Sequence, residues 1–177
     1  RTEVRDWLDQ IRKDQGGVIQ ITPESMDIFN AAATDAPGVR YGCIASFAPP
    51  PNALRLAAKV RSPYAALTAA LYSTLQTMTG RISSTYPSPD PSPESAAILH
   101  DVIGHRVRPE FNDGIVPTHS MLWGELLWAG AGDHLDIVGH FKGVKGSTHT
   151  DWLLSGAEFT EEKFQSAMRA LSEHMLG

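Results

Sequence analysis

Cysteine, clustered basic residues and long apolar runs are all scarce in this sequence, and each scarcity removes a class of protein. The single Cys43 cannot close an intrachain disulfide. Set in an apolar stretch, it reads as a buried structural thiol, and one cysteine leaves the redox compartment open. The net charge is −5 and Lys and Arg do not cluster. A phosphate backbone requires a basic face, so this balance argues against nucleic acid as a partner. No apolar run approaches the ~20 residues that span a bilayer, which argues against a transmembrane segment. No internal repeat is visible. The chain opens Arg-Thr-Glu-Val, with neither Met nor an apolar targeting core. A start inside charged helical sequence predicts that something upstream is missing.

What is present is an ordinary globular composition. Hydrophobic residues make up 42% and charged residues 20% of 177 positions, a length that suits one domain or part of a larger one. Val4, Trp7, Leu8 and Ile11 recur at helical spacing, so residues 2–15 read as an amphipathic helix ended by Gly16-Gly17. Thr22-Pro23-Glu24 reads as an N-cap with proline at the first helical position, opening a helix through Met26, Ile28, Phe29 and Ala32. A turn at Asp35-Ala36-Pro37-Gly38 leads into residues 39–47, an apolar and β-branched run that reads as a buried strand stopped by Pro49, Pro50 and Pro51. Ser62-Pro63 opens a helix with Tyr64, Leu67, Leu71, Leu75 and Met78 on one face and Gly80 as its stop. That stripe is either core or the face of a lid, and the pattern does not choose. Residues 81–95, rich in Ser and Pro, read as a surface loop. Val116-Pro117-Thr118 leads into a short helix through Met121, Leu122 and Trp123, and residues 125–129 form a second apolar strand. Thr160 caps a closing helix whose buried stripe is Phe164, Met168, Leu171 and Met175. The tryptophans Trp123, Trp128 and Trp152 read as core.

That inventory predicts an α/β fold that is incomplete. Two strands apolar on both faces need strand neighbours and helical cover, and two alone do not make a stable sheet. We therefore expect the strands at 39–47 and 125–129 to be parallel and adjacent, within a sheet whose other strands lie elsewhere.

Asp113 sits in the turn Asn112-Asp113-Gly114, and His134 follows the second strand about twenty residues on. An acid followed by a histidine is what nucleophilic acyl transfer requires. The histidine takes the proton of the nucleophile; the acid sets its tautomer and stabilises the imidazolium. In α/β-hydrolases the chain order is nucleophile, acid, histidine.

Gly38-Val39-Arg40-Tyr41, followed by Asn112-Asp113-Gly114-Ile115-Val116 and then Asp133-His134-Leu135-Asp136, resembles the bacterial triacylglycerol lipases of the true-lipase group. Ser120, Trp123-Gly124 and the apolar strand between acid and histidine are also similar. Thr22-Pro23-Glu24-Ser25-Met26 with Phe29-Asn30 resembles the family's segment ahead of the acid-bearing strand. The likeness covers residues 18–47 and 111–142, about a third of the chain. It implies the C-terminal part of an α/β-hydrolase fold, a mostly parallel sheet flanked by helices and completed by a missing N-terminal half. Within it, residues 1–35 would be lid-like helices. Residues 36–177 would hold the last core strands, the acid and histidine loops and the C-terminal helix. The resemblance implies Asp113 as triad acid, His134 as triad base and an ester or lipid substrate. No cofactor is required; Asp136 matches a position that binds calcium in some members, and Asp90, Glu94 and Asp101 are open as its companion carboxylate. Proteins of this kind are usually secreted, although the compartment is not otherwise readable.

One departure is large. The nucleophile elbow Gly-x-Ser-x-Gly does not occur in this sequence. The expected partner is therefore an N-terminal half carrying that elbow, and this chain alone is expected to be inactive. The rival reading is a non-catalytic binding or scaffold domain derived from a hydrolase fold. A third, a metal protein, requires His100, His105, His140 or His149 to converge; the spacing of His100 and His105 does not fit a helical zinc pair. We read the six histidines other than His134 as structural or surface residues.

Overall fold

A computed structural model of the chain describes residue 20 and residues 22–54, 60–81, 90–141 and 152–177. The helix expected over residues 2–15, most of the Ser- and Pro-rich loop and His149 lie outside the described residues. The chain divides into two units, Arg1–Val39 and Arg40–Gly177.

The first unit contains helix α1, Pro23–Ala32. Pro23 stands at its first turn, as expected, but Thr22 gives it no side-chain cap; the Thr22 hydroxyl instead bonds the Ser25 hydroxyl at 3.1 Å. Met26, Ile28 and Phe29 are exposed. The following turn closes by the Val39 amide donating to the Ala36 carbonyl at 3.2 Å, with Pro37 and Gly38 between them.

The second unit is built on two parallel strands, β1 (Gly42–Phe47) and β2 (Glu125–Ala131). The Glu125 amide donates to the Tyr41 carbonyl at 2.9 Å and the Gly132 amide to the Phe47 carbonyl at 3.0 Å, so the ladder spans the whole of β1. Ile44 lies opposite Trp128 and Ser46 opposite Gly130, after a register shift between Cys43 and Ile44. β2 runs two residues beyond the expected 129. The backbone groups of Gly130 and Ala131 are taken up opposite Ser46 and Phe47, which outweighs the poor strand propensity of glycine. Among the described residues the sheet has these two strands and no third.

Helix α2, Pro63–Thr79, is capped by the Ser62 hydroxyl, which accepts from the Ala65 amide. Its apolar stripe points outward: Tyr64, Leu67, Leu71 and Met78 are exposed, while Thr68, Ala69, Tyr72 and Gln76 are buried. Packing chose the smaller face because Tyr72 reaches the exit of β1. The Tyr72 hydroxyl donates to the Pro49 carbonyl, and its ring packs with Ala48, Leu153 and Ala157. Helix α3, Pro93–Ile103, takes residues 93–95 from the end of the expected 81–95 loop and adds an element the periodicity does not yield. The Ser92 hydroxyl accepts from the Ser95 amide, and Gly104 ends the helix in the left-handed conformation. Leu99, Ile98 and Ile103 then cover one face of the sheet against Ala45, Leu126, Ala129 and Val107. Cys43 packs at the margin of this cluster; burial pushes its thiol pKa up, opposed by the Trp123 amide that donates to Sγ.

Between α3 and β2, a 3-10 turn at Thr118–Met121 replaces the expected helix reaching Trp123. Helix α4, Glu161–Leu176, is capped by Thr160 as expected, its hydroxyl accepting from the Lys163 amide. Ala167 is its buried residue; Phe164, Met168 and Leu171 are half-buried, and Met175 lies exposed rather than in the core. No helix among the described residues is long and apolar enough to cross a membrane.

Candidate active site

The loop bearing Asp113 is a narrow hairpin-like excursion. The Thr118 amide donates to the Phe111 carbonyl at 2.8 Å and the Asp113 amide to the Val116 carbonyl at 3.1 Å, with Asn112 and Pro117 in an antiparallel bridge. Asn112, fully buried, ties this loop to the end of α2. Its Nδ2 donates to the carbonyls of Gln76 (3.2 Å) and Glu110 (2.9 Å), and its Oδ1 accepts from the Gly114 amide (2.8 Å). Gly114 holds φ of +100°, and a Cβ there would stand 3.3 Å from the Tyr72 ring, so glycine is required for both reasons. The sequence Asn-Asp-Gly is therefore an anchored turn with a specific job for each residue.

That job, for Asp113, is to hold a buried carboxylate among donors. The Asp113 side chain is 3% exposed. Its Oδ1 accepts from the amides of Ile115 (3.0 Å) and Val116 (2.8 Å). Its Oδ2 lies 2.9 Å from His134 Nδ1 and accepts from the Ser46 hydroxyl at 3.2 Å. Four donors around one carboxylate offset the cost of removing it from water.

His134 is set by its own loop. Its backbone amide donates to the Asp113 carbonyl at 3.0 Å. The preceding Asp133 is buried, and its Oδ1 accepts from the amides of Leu135 and Asp136 just ahead of a 3-10 turn at Asp136–Val138. A carboxylate accepts only, so Nδ1 carries the hydrogen and Nε2 is the basic nitrogen of the neutral ring. The His134 pKa is raised: its hydrogen bond to Asp113 raises it most, burial opposes, and the charges of Asp113 and Asp133 add to the rise. The pair is thus a base whose tautomer and orientation are fixed by a buried acid.

Beside the pair lies a cavity of about 170 Å³. Ile44, Val116, Met121, Trp128 and Ile137 wall it, together with Ser46, Asp113 and His134. The wall is built by strand register: Ile44 and Ser46 share one face of β1, and Trp128 lies opposite Ile44. A Cβ on Gly130 would stand 2.1 Å from the indole of Trp128, so the bare backbone of Gly130 lets that ring lie along the strand beside the cavity.

Asp113 and His134, the two expected catalytic residues, are brought together at hydrogen-bond distance. Asp136 is buried one turn beyond, its Oδ2 accepting from the Asp133 amide at 2.8 Å. Among the described residues no group of three or more His, Cys, Asp or Glu side chains could hold a metal ion. Calcium at Asp136 rests on the resemblance alone, and so does any companion role for Asp90, Glu94 or Asp101. Asp90 is paired with Arg106 at 2.7 Å. The described histidines form no metal cluster: His105 meets Phe111 edge-on, His140 lies against Trp152, His174 lies between Arg40 and Glu125 at 3.2 and 3.5 Å, and His100 and His119 line a second cavity without a third ligand. Trp128 belongs to the cavity wall rather than to the core proper, and Trp123 and Trp152 are exposed. Ser46 is a site residue the sequence pattern did not single out, and Trp128 is one it assigned to the core.

Compared with protein-family models, curated proteins and solved structures, the chain matches none of them. The functional reading therefore rests on the geometry and on the local motifs that led to it.

Proposed function

We propose that this chain supplies the acid and the base of a carboxylic-ester hydrolase of lipase or esterase type, with the serine nucleophile on a segment not among these residues. The observation that carries the reading is the Asp113 Oδ2–His134 Nδ1 contact of 2.9 Å at the side of a cavity with apolar walls. The serine oxygen attacks the ester carbonyl while His134 Nε2 takes its proton. The imidazolium then gives that proton to the departing alkoxide, and a water repeats the cycle on the acyl-enzyme. Asp113 holds Nδ1–H and stabilises the imidazolium between these steps. Ser46 is not the nucleophile in this arrangement, because its hydroxyl donates to the acid and not to the free nitrogen of His134. Two features support a larger assembly. The parallel pair β1–β2 has no third strand among the described residues, and α2 exposes Tyr64, Leu67, Leu71 and Met78 as a contiguous apolar stripe. The chain order of Asp113 before β2 and His134 after it also fits the acid-then-histidine order of α/β-hydrolases.

The test compares two preparations. The isolated 177-residue chain should leave a short-chain aryl ester at its background rate and take no label from a serine-directed phosphonate. Protein recovered from its natural source with an antibody to this chain should take the label on a Gly-x-Ser-x-Gly serine and hydrolyse the ester. His134→Ala should abolish that turnover. A native protein that neither labels nor turns over would refute the reading in favour of a non-catalytic domain. Labelling of a serine within these residues would refute the placement of the nucleophile.

A further inference from the structure

Oδ2 of Asp113 receives two donors, and only one of them belongs to the proton-transfer pair. The other is the Ser46 hydroxyl, 3.2 Å away. Ser46 is a strand residue held from both sides of its backbone. Its amide lies 3.3 Å from Met121 Sδ, and its carbonyl accepts from the hydroxyl of the fully buried Thr118 at 3.1 Å. Its neighbour across the ladder is Gly130. The hydroxyl has one hydrogen and two acceptors within reach, the Asp113 carboxylate and the Met121 sulfur at 3.9 Å. A carboxylate oxygen is both nearer and far the stronger acceptor, so the hydrogen goes to Oδ2.

We propose that Ser46 is a positioning residue for the Asp113–His134 pair: its hydroxyl fixes the carboxylate plane from the strand side and takes a share of the charge on Oδ2 that His134 would otherwise receive. The proposal rests on the hydrolase reading for its consequence in catalysis, though not for its physical content. Oδ1 is already occupied by the amides of Ile115 and Val116, so Asp113 stays seated when the Ser46 hydroxyl is removed. What changes is the negative charge density at Oδ2. With one donor gone, Oδ2 holds the imidazolium more tightly, and His134 must titrate at a higher pH. The charged groups that face His134 are Asp113 from the acid loop and Asp133 from its own loop. Lys163, on α4 beside the end of β2, donates to the carbonyls of Ala131 and Glu158. Of these groups only Asp113 is bonded by the Ser46 hydroxyl, so a change at Ser46 reaches His134 through that carboxylate.

The experiment is a titration of the His134 ring by NMR in the full chain, with the resonance assigned through His134→Gln. Ser46→Ala should move the midpoint upward by more than the spread of repeat titrations. Ser46→Thr, which keeps a hydroxyl, should leave it in place. Ser46→Thr and Ser46→Val are nearly isosteric and differ by that hydroxyl, so their comparison carries the test if Ser46→Ala fails to fold. An unmoved or lowered midpoint in the hydroxyl-free variants overturns the proposal. In the assembled hydrolase, Ser46→Ala should cost about tenfold in kcat, the size expected for one hydrogen bond to a charged group. The acidic limb of its pH–rate profile should follow the NMR midpoint upward. Failure of ester hydrolysis with the midpoint moved would sink the enzymatic reading alone; hydrolysis with the midpoint unmoved would sink the role of Ser46 alone.

Discussion

Replacing Asn112 tests whether the acid loop is held as described. In Asn112→Ala the Gly114 amide loses its acceptor in a buried position, and the carbonyls of Gln76 and Glu110 each lose a donor. The three losses are unequal. The Gln76 carbonyl keeps the Gly80 amide at 2.9 Å, and Glu110 lies where water can reach. The buried Gly114 amide is the expensive loss, at roughly 1–3 kcal/mol for a donor left unsatisfied. The small void left by the amide group adds about 1 kcal/mol. The sum is on the order of 3 kcal/mol, a large part of the stability of an ordinary domain. Urea unfolding followed by far-UV circular dichroism and by tryptophan fluorescence measures it. Hydrogen exchange at Gly114 should quicken more than exchange in β2. Asn112→Asp keeps the acceptor for Gly114 but sets a carboxylate against two carbonyl oxygens, so it should be destabilised at neutral pH and recover as the solution is acidified. An Asn112→Ala chain within ~0.5 kcal/mol of the parent, the range of an ordinary surface change, would refute the anchoring argument.

Four further predictions concern the site itself. The raised His134 pKa means that its acidic limb in ester hydrolysis should lie above the ordinary histidine value of about 6.5, because the protonated ring cannot accept the serine proton; a limb at or below that value refutes the coupling to Asp113. The same raised pKa makes the contribution of His134 to folding fully present below the unfolded pKa and lost as pH rises through the folded one, which urea midpoints across that window would show. Asp113→Asn should lower the His134 titration midpoint and cost the assembled enzyme about 10⁴ in rate if the serine-protease precedent transfers, while undiminished turnover would remove Asp113 from the mechanism. Gly130→Ala should drive the Trp128 indole from its place, since the new Cβ would stand 2.1 Å from the ring, and an unchanged tryptophan emission spectrum would show that the cavity wall is not built this way.

The pair Asp113–His134 was legible in the sequence because its information is local. Asn-Asp-Gly specifies a turn through one side chain, one carboxylate and one positive φ, and His134 stands in a loop capped by its own neighbours. The two strands were legible for a related reason, as apolar and β-branched runs interrupted by proline and glycine. Helix α3 was equally local, with Ser92, Pro93, Glu94 and Gly104 in capping positions, but it was hidden by the Ser- and Pro-rich residues before it. Proline at the first turn starts a helix as readily as proline in the interior breaks one.

What the tertiary structure decided was everything that depends on register and on which face wins. Ser46 is one small polar residue in an apolar strand, and nothing near it in sequence says that Asp113, 67 positions on, will lie within reach. Trp128 becomes a cavity wall because the register sets Ser46 opposite Gly130 and leaves room for the indole. The stripe Tyr64, Leu67, Leu71 and Met78 satisfies the helical period as well as any buried face would, yet α2 buries Thr68, Ala69, Tyr72 and Gln76 instead. Periodicity counts apolar groups along one element, whereas burial is settled by the shape and hydrogen-bond demands of what lies across from it. For α2, those demands were the Pro49 carbonyl awaiting Tyr72 and the acid loop closing over Gln76.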